Sequence, residues 1–191
     1  MKQTLKMGDR MDAEIIHGAF SLGEAFKLGT IWEWEQWRNG KLISQWFERN
    51  LCTDQGITHV IDVAFSGGTQ ITAWYVVLFE DNHSPAAGDT YAVPGYTESS
   101  AYDEATRPSW QEAGVASKAI TNSANKATFT MNATKTIYGA ALVGGGTAPS
   151  TKGDTAGGGK LFCVSQFASG SKPVVDDDIL RVTITLTGAD A

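Results

Sequence analysis

Between Ile71 and Phe79 the chain reads ITAWYVVLF, apolar at nearly every position and rich in β-branched and aromatic residues. A strand with one wet face alternates apolar and polar side chains, so an unbroken run requires cover on both faces. Any fold adopted here must therefore place material above and below this strand. Burying the six large side chains from Trp74 to Phe79 contributes roughly 1.5–3 kcal/mol each as an upper estimate. Just before it, Ile57, Val60, Ile61, Ala64 and Phe65 follow the spacing of one helix face. Asp54 stands at the expected N-cap, and Ser66-Gly67-Gly68 supplies the stop. Residues 50–80 are thus expected to be the core, with the helix face turned inward.

The remaining pattern is that of a β protein. Trp32 and Trp34 share one face of a strand and Glu33 and Glu35 the other, and Asn39-Gly40 is a strong signal for a type I′ hairpin turn. Five further strands are expected at 115–121, 126–132, 136–143, 160–167 and 179–187, each bounded by turn residues. In the last, Leu180, Val182, Ile184 and Leu186 alternate without error against Arg181, Thr183, Thr185 and Thr187. About eight strands and one short helix fit a mainly β fold, an antiparallel β-sandwich of jelly-roll-like type spanning residues 30–191. The sixteen residues 144–159 read as a glycine-rich flexible spacer between two strands. Residues 1–29 carry no clear period. They are expected to be a loosely ordered terminus or an N-terminal arm that orders against another subunit, and both readings stay open. The long connection 81–111, with Tyr91, Tyr96, Tyr102 and Trp110, is expected to be functional or packed on itself.

Composition narrows the function. The formal charge is −6 and the fifteen Lys and Arg residues never occur in pairs, a poor basis for holding phosphates or anionic lipid. Nucleic-acid and membrane partners are not expected. The first residues are too polar for a secretion signal, so folding in a cytoplasm with Cys52 and Cys163 as reduced thiols is the expected course. Gly157-Gly158-Gly159-Lys160 lacks the leading glycine and the Ser or Thr of a phosphate loop. His17, His59 and His83 have no metal-ligand spacing, and His59 is expected in solvent. Asp176-Asp177-Asp178 reads as a solvated turn rather than a calcium site. The pair Glu33 and Glu35 reads as solubilising rather than as glycosidase carboxylates. Catalytic residues, metal ligands and cofactors are all expected to be none.

An ordered series of short motifs adds to this. It runs through Asn39-Gly40-Lys41-Leu42-Ile43, Asn50-Leu51-x-Thr53-x-x-Gly56, Asp62-Val63-Ala64-Phe65 and Ile71-x-x-Trp74-Tyr75-Val76-x-Leu78. Arg107-Pro108-Ser109-Trp110, Asn132-Ala133-Thr134 and Tyr138-Gly139-Ala140 complete it. On these motifs, across about residues 30–188, the chain resembles a family of tailed-bacteriophage structural proteins. The resemblance implies a capsid cement or decoration protein on the virion exterior, assembled in the bacterial cytoplasm. The implied partners are the major capsid protein and further copies of the chain, as dimers or trimers. Contact residues are expected in the arm (Phe20, Phe26), the hairpin (Trp32, Trp34) and the connection (Tyr91, Tyr96, Tyr102). The alternative is a tail or fibre component binding a host glycan or receptor, which needs Trp32, Trp34 or Tyr96 in an exposed platform.

Overall fold

The computed structural model describes residues 27–189, and residues 1–26, with Phe20 and Phe26, lie outside them. The strands in the first half are β1 (Lys27–Arg38), β2 (Lys41–Arg49), β3 (Leu51–Cys52), β4 (Trp74–Phe79), β5 (Glu98–Ser99) and β6 (Ser109–Trp110). In the second half they are β7 (Ala119–Thr121), β8 (Ala127–Thr130), β9 (Lys135–Ile137), β10 (Gly139–Gly144), β11 (Lys160–Gln166), β12 (Lys172–Val174) and β13 (Ile179–Ala189). A helix α1 (Asp54–Ile61) continues directly into a π-helical turn, Asp62–Ser66. The chain is mainly β, as expected.

Two antiparallel sheets face each other. The first runs β2-β1-β13, with β7 and β8 on successive parts of the far edge of β13. The second runs β3-β11-β10-β4, with β5 and β6 sharing the far edge of β4. A small ribbon pairs β9 with β12. The hairpin turn forms as its residues require, Asn39 and Gly40 both having positive φ, 48° and 71°. Along β1 and β13, register places Trp32 opposite Ile184 and Trp34 opposite Val182, all fully buried. The alternation of β13 is therefore the inner wall of the first sheet.

The unbroken run is covered on both faces. Val76 and Leu78 point between the sheets, packing in one core with Trp32, Trp34, Phe129, Leu142 and Phe162. Val77 and Phe79 point the other way, into a second core with Ala141, Val143, Leu161, Val164 and Tyr91. Half-buried Tyr75, Tyr96 and Tyr138 flank that second core. Its cover is the connection 81–111, which places Tyr91 and Tyr96 on this outer sheet face while Tyr102 and Trp110 enter the core between the sheets. Burial within the run begins later than the sequence indicates, since Trp74 and Tyr75 are only half-buried.

Other elements depart from expectation for readable reasons. The stretch 136–143 breaks at Tyr138 and serves two different sheets, because the Tyr138 N–H bonds Phe79 and its carbonyl accepts from Phe167. Strands β3, β5 and β6 hold only two residues each, too few to show a period. The strand expected from Thr30 begins at Lys27, three residues into the segment assigned to the arm. The N-cap of α1 is Thr53, not Asp54: its buried hydroxyl accepts from the Gly56 N–H at 3.1 Å. Gly67, at φ 77°, ends the π-helical turn as a left-handed cap.

Candidate contact surface

The helix turns a different side to the sheet from the one its pattern indicates. Gly56 is its one buried residue, and a Cβ there would overlap the Phe162 carbonyl of β11. Close approach at Gly56 sets the rotation of the helix, leaving Val60 and Val63 half-buried behind it. Ile57, Ile61 and Phe65, spaced four apart on the neighbouring stripe, then face outward. Ile61 is 54% exposed and Phe65 86%. The expectation of an inward-turned helix face is corrected here. An amphipathic pattern shows that a stripe needs cover without showing what covers it.

Beside this stripe the sandwich opens into an apolar groove of about 570 Å³. Val60, Val63 and Ala64 form one wall, Leu28, Ile120 and Leu186 another, and Trp74 and Phe162 stand within it, edge to face at 5.4 Å. Opposite Leu28 in the register lies Gly188, so no side chain fills that position of β13. Val115, 76% exposed, stands at the lining. His59, expected in solvent, is half-buried in this wall, edge-on to Trp74 at 5.9 Å. Burial lowers its pKa, and Lys160 adds to the effect against the opposing pull of Asp62.

The outer face of the second sheet is closed by polar side chains, whereas the β1–β2 hairpin exposes Ile31, Leu42, Ile43 and Phe47. Arg107, almost fully buried, uses all five of its N–H donors. Nε and Nη2 fork onto Glu98, Nη1 bonds Tyr91 Oη at 3.1 Å and the Pro149 carbonyl at 2.9 Å, and Nη2 also reaches the Asp154 carbonyl at 2.9 Å. Burial disfavours its charge, but the Glu98 fork outweighs this and raises its pKa. The Tyr91 hydroxyl donates in turn to Asp154 Oδ2 at 2.6 Å. Lys152 donates to the Tyr102 carbonyl, also at 2.6 Å. Residues 144–159, expected as a free spacer, are thus pinned to the connection by carbonyls that hold a cation.

At the end of β1 away from the groove, Asp178 plays the matching part. Its buried carboxylate accepts from Arg38 twice at 2.7 Å, from Gln36 Nε2 at 2.9 Å and from the Val175 N–H at 3.0 Å. Burial would raise its pKa, yet Arg38 and these bonds hold it below the usual carboxylate range. The three aspartates are therefore not one solvated turn, since only Asp176 and Asp177 are exposed.

The residues expected at a contact are placed as follows. Trp32 and Trp34 have no exposed surface and stack at 6.1 Å, with Trp46 continuing the stack at 5.9 Å from Trp34. Tyr102 is buried edge-on to Phe129 at 5.0 Å, and Tyr91 is buried in the Arg107 network. Tyr96 is half-buried and stacks on Phe79 at 4.8 Å. Trp32 and Trp34 serve the interior because they occupy inward positions of β1, and Tyr91, Tyr96 and Tyr102 because the connection folds onto the sandwich. Conversely, Ile57, Ile61 and Phe65 form a stripe that the sequence pattern assigns to the core and the structure leaves exposed. The signal for their orientation is Gly56 at the head of the adjoining stripe, where the helix comes closest to β11.

Convergent chemistry is sparse. His83 lies 2.7 Å from Asp89, which also accepts from the Ala86 N–H, and the pair is enclosed by Phe79 and Tyr96. Glu35 pairs with Lys126 at 2.6 Å, while Glu33 is exposed. Among the described residues no group of three or more His, Cys, Asp or Glu side chains is arranged to hold a metal ion. No helix among them is long and apolar enough to cross a membrane. No family model matches the chain, and no curated protein matches it.

Proposed function

We propose that this chain is a capsid cement protein of a tailed bacteriophage, binding the outer surface of the major capsid protein shell and bridging its subunits. The observation that carries the reading is the outward apolar stripe Ile57, Ile61 and Phe65 beside the open groove. Contiguous apolar surface next to polar surroundings marks an interaction site, and this one adjoins a pocket able to take a side chain of a partner. The motif order described above supports the assignment. So does the acidic surface, since an exterior component has no phosphate to neutralise.

In this reading the work is mechanical. Each contact is modest, and copies placed as dimers or trimers around the shell symmetry add their contacts through a raised effective concentration. The buried polar staples keep the sandwich rigid, so binding costs little ordering. The glycan reading required a platform of Trp32, Trp34 or Tyr96, and none of the three offers a free ring face of that kind. Co-sedimentation tests the proposal. Purified full-length chain mixed with expanded, DNA-free shells of the accompanying major capsid protein should pellet with them to a saturating, symmetric stoichiometry. Protein that stays in the supernatant at micromolar concentration overturns the assignment.

A further inference from the structure

Strands β3 and β11 set the two cysteines, 111 positions apart in sequence, directly opposite one another. The Thr53 N–H donates to the Phe162 carbonyl at 3.1 Å, which makes the adjoining Cys52/Cys163 position a non-hydrogen-bonded pair of the antiparallel ladder. At such positions the Cα atoms stand about 4.5 Å apart and facing side chains come closest. A disulfide accepts Cα separations of about 4.4–6.8 Å. The sulfurs converge as well as the backbones. The Asn50 side-chain amide interacts with both thiols, and both lie on the inner side of the second sheet, Cys163 within the main core and Cys52 against it. That Cys163 faces inward beside Phe162 follows from the irregularity in the β10–β11 pairing, where the register jumps between Leu142 and Val143.

We propose that Cys52 and Cys163, free thiols in this structure, are a modification site: a small external disulfide oxidises them to a cross-strand disulfide that ties β3 to β11. The two thiols differ in access, Cys163 being buried and Cys52 partly exposed, and this orders the steps. Cys52 loses its proton and attacks the external disulfide, forming a mixed disulfide and releasing one thiolate. Cys163 then loses its proton and attacks the Cys52 sulfur, closing the protein bond and releasing the second thiolate. The two protons end on the two released thiols, so the protein gives up two electrons and the external disulfide takes them. The only interaction that must be surrendered on the Cys52 side is its weak S–H bond to the Leu28 carbonyl at 3.5 Å, besides the Asn50 contact. Burial raises the pKa of both thiols, so the reaction quickens as pH rises.

The bond would close a loop containing α1, the outward stripe and β4, and its anchor lies at the foot of the helix that walls the groove. It therefore fixes the base of the candidate contact surface while leaving that surface unaltered. The inference stands on strand register alone and does not depend on the cement reading.

The test uses the full chain, reduced, freed of reductant and incubated with oxidised glutathione at pH 8.5. Intact mass should fall by two hydrogens, peptide mapping should recover Cys52 joined to Cys163, and Tm should rise by roughly 5–15 °C and return on reduction. Cys163→Ser should stop at the first step and carry one glutathione on Cys52, whereas Cys52→Ser should carry none. Two free thiols after prolonged incubation, a glutathione adduct retained by the wild-type chain, or a bridge only between chains would each overturn the proposal.

Discussion

The two ends of the β1–β13 pair are built on opposite terms. Near Arg38 and Ile179 the sandwich is shut by Asp178, a buried carboxylate that receives four hydrogen bonds. Near Leu28 and Gly188 it is open, apolar, and flanked by a helix that shows its apolar stripe to the outside. The outer face of the second sheet follows the closed pattern, with Arg107 satisfied at all five donors. A polar group taken from water must find partners or cost stability, so the closed regions are held by what they would lose. The open end keeps apolar surface in water, a cost that only an arriving surface can remove. The proposed contact is placed at this end for that reason.

Substitutions can break or sharpen this contrast. The largest stability effect is expected for Arg107→Met, which leaves the buried Glu98 carboxylate without its cation. A loss of about 3–5 kcal/mol in denaturant unfolding is expected, together with rapid hydrogen exchange in residues 144–159. A loss below about 1 kcal/mol would show that the network is ornament rather than staple.

Gly56→Ala comes next. Its Cβ would press on the Phe162 carbonyl and lift α1 from β11, at an expected cost of about 1–3 kcal/mol. If the helix rotates instead and buries Phe65, tryptophan fluorescence from Trp74 should shift and the stability loss should shrink.

Asp178→Asn should cost about 1–3 kcal/mol at neutral pH, and it should also change the acid response. The folded-state pKa of Asp178 is depressed, so its stabilisation is present above the unfolded carboxylate value of about 3.9 and is lost as pH falls through the lower folded value. Wild-type stability should decline below about pH 4, and the variant should decline less steeply there. Parallel acid curves for the two proteins would remove Asp178 from the account.

Much of the closed part of this molecule was legible in the sequence. The hairpin at Asn39-Gly40, the alternation of β13 and the doubly covered strand from Trp74 to Phe79 are local patterns, and local patterns survive folding. What covered the strand was not legible, because Tyr91 and Tyr96 reach Phe79 from an aperiodic connection. The Arg107 network joins positions 91, 98, 107, 149 and 154, which no spacing rule links. The aromatics expected as contacts carry chemistry that suits a core as well as an interface, and here the core claims Trp32, Trp34, Tyr91 and Tyr102. The stripe on α1 was misdirected for a simpler reason. Periodicity identifies faces of a helix, and only the close approach at Gly56 decides which face meets the sheet.

The smallest effect on stability and the largest on function should coincide at the open end. Replacing Ile61 and Phe65 together with serine removes exposed side chains, so unfolding free energy should stay within about 0.5 kcal/mol of wild type. The direct test compares this double variant with wild type for equilibrium binding to expanded, DNA-free capsid shells, with a Val93→Ser control on the exposed part of the connection. The account predicts an affinity loss of about thirtyfold or more for the open-end variant, as for a contact hot spot, and no change for the control. Unchanged shell affinity in the Ile61/Phe65 variant, or a loss confined to the Val93 control, would contradict it.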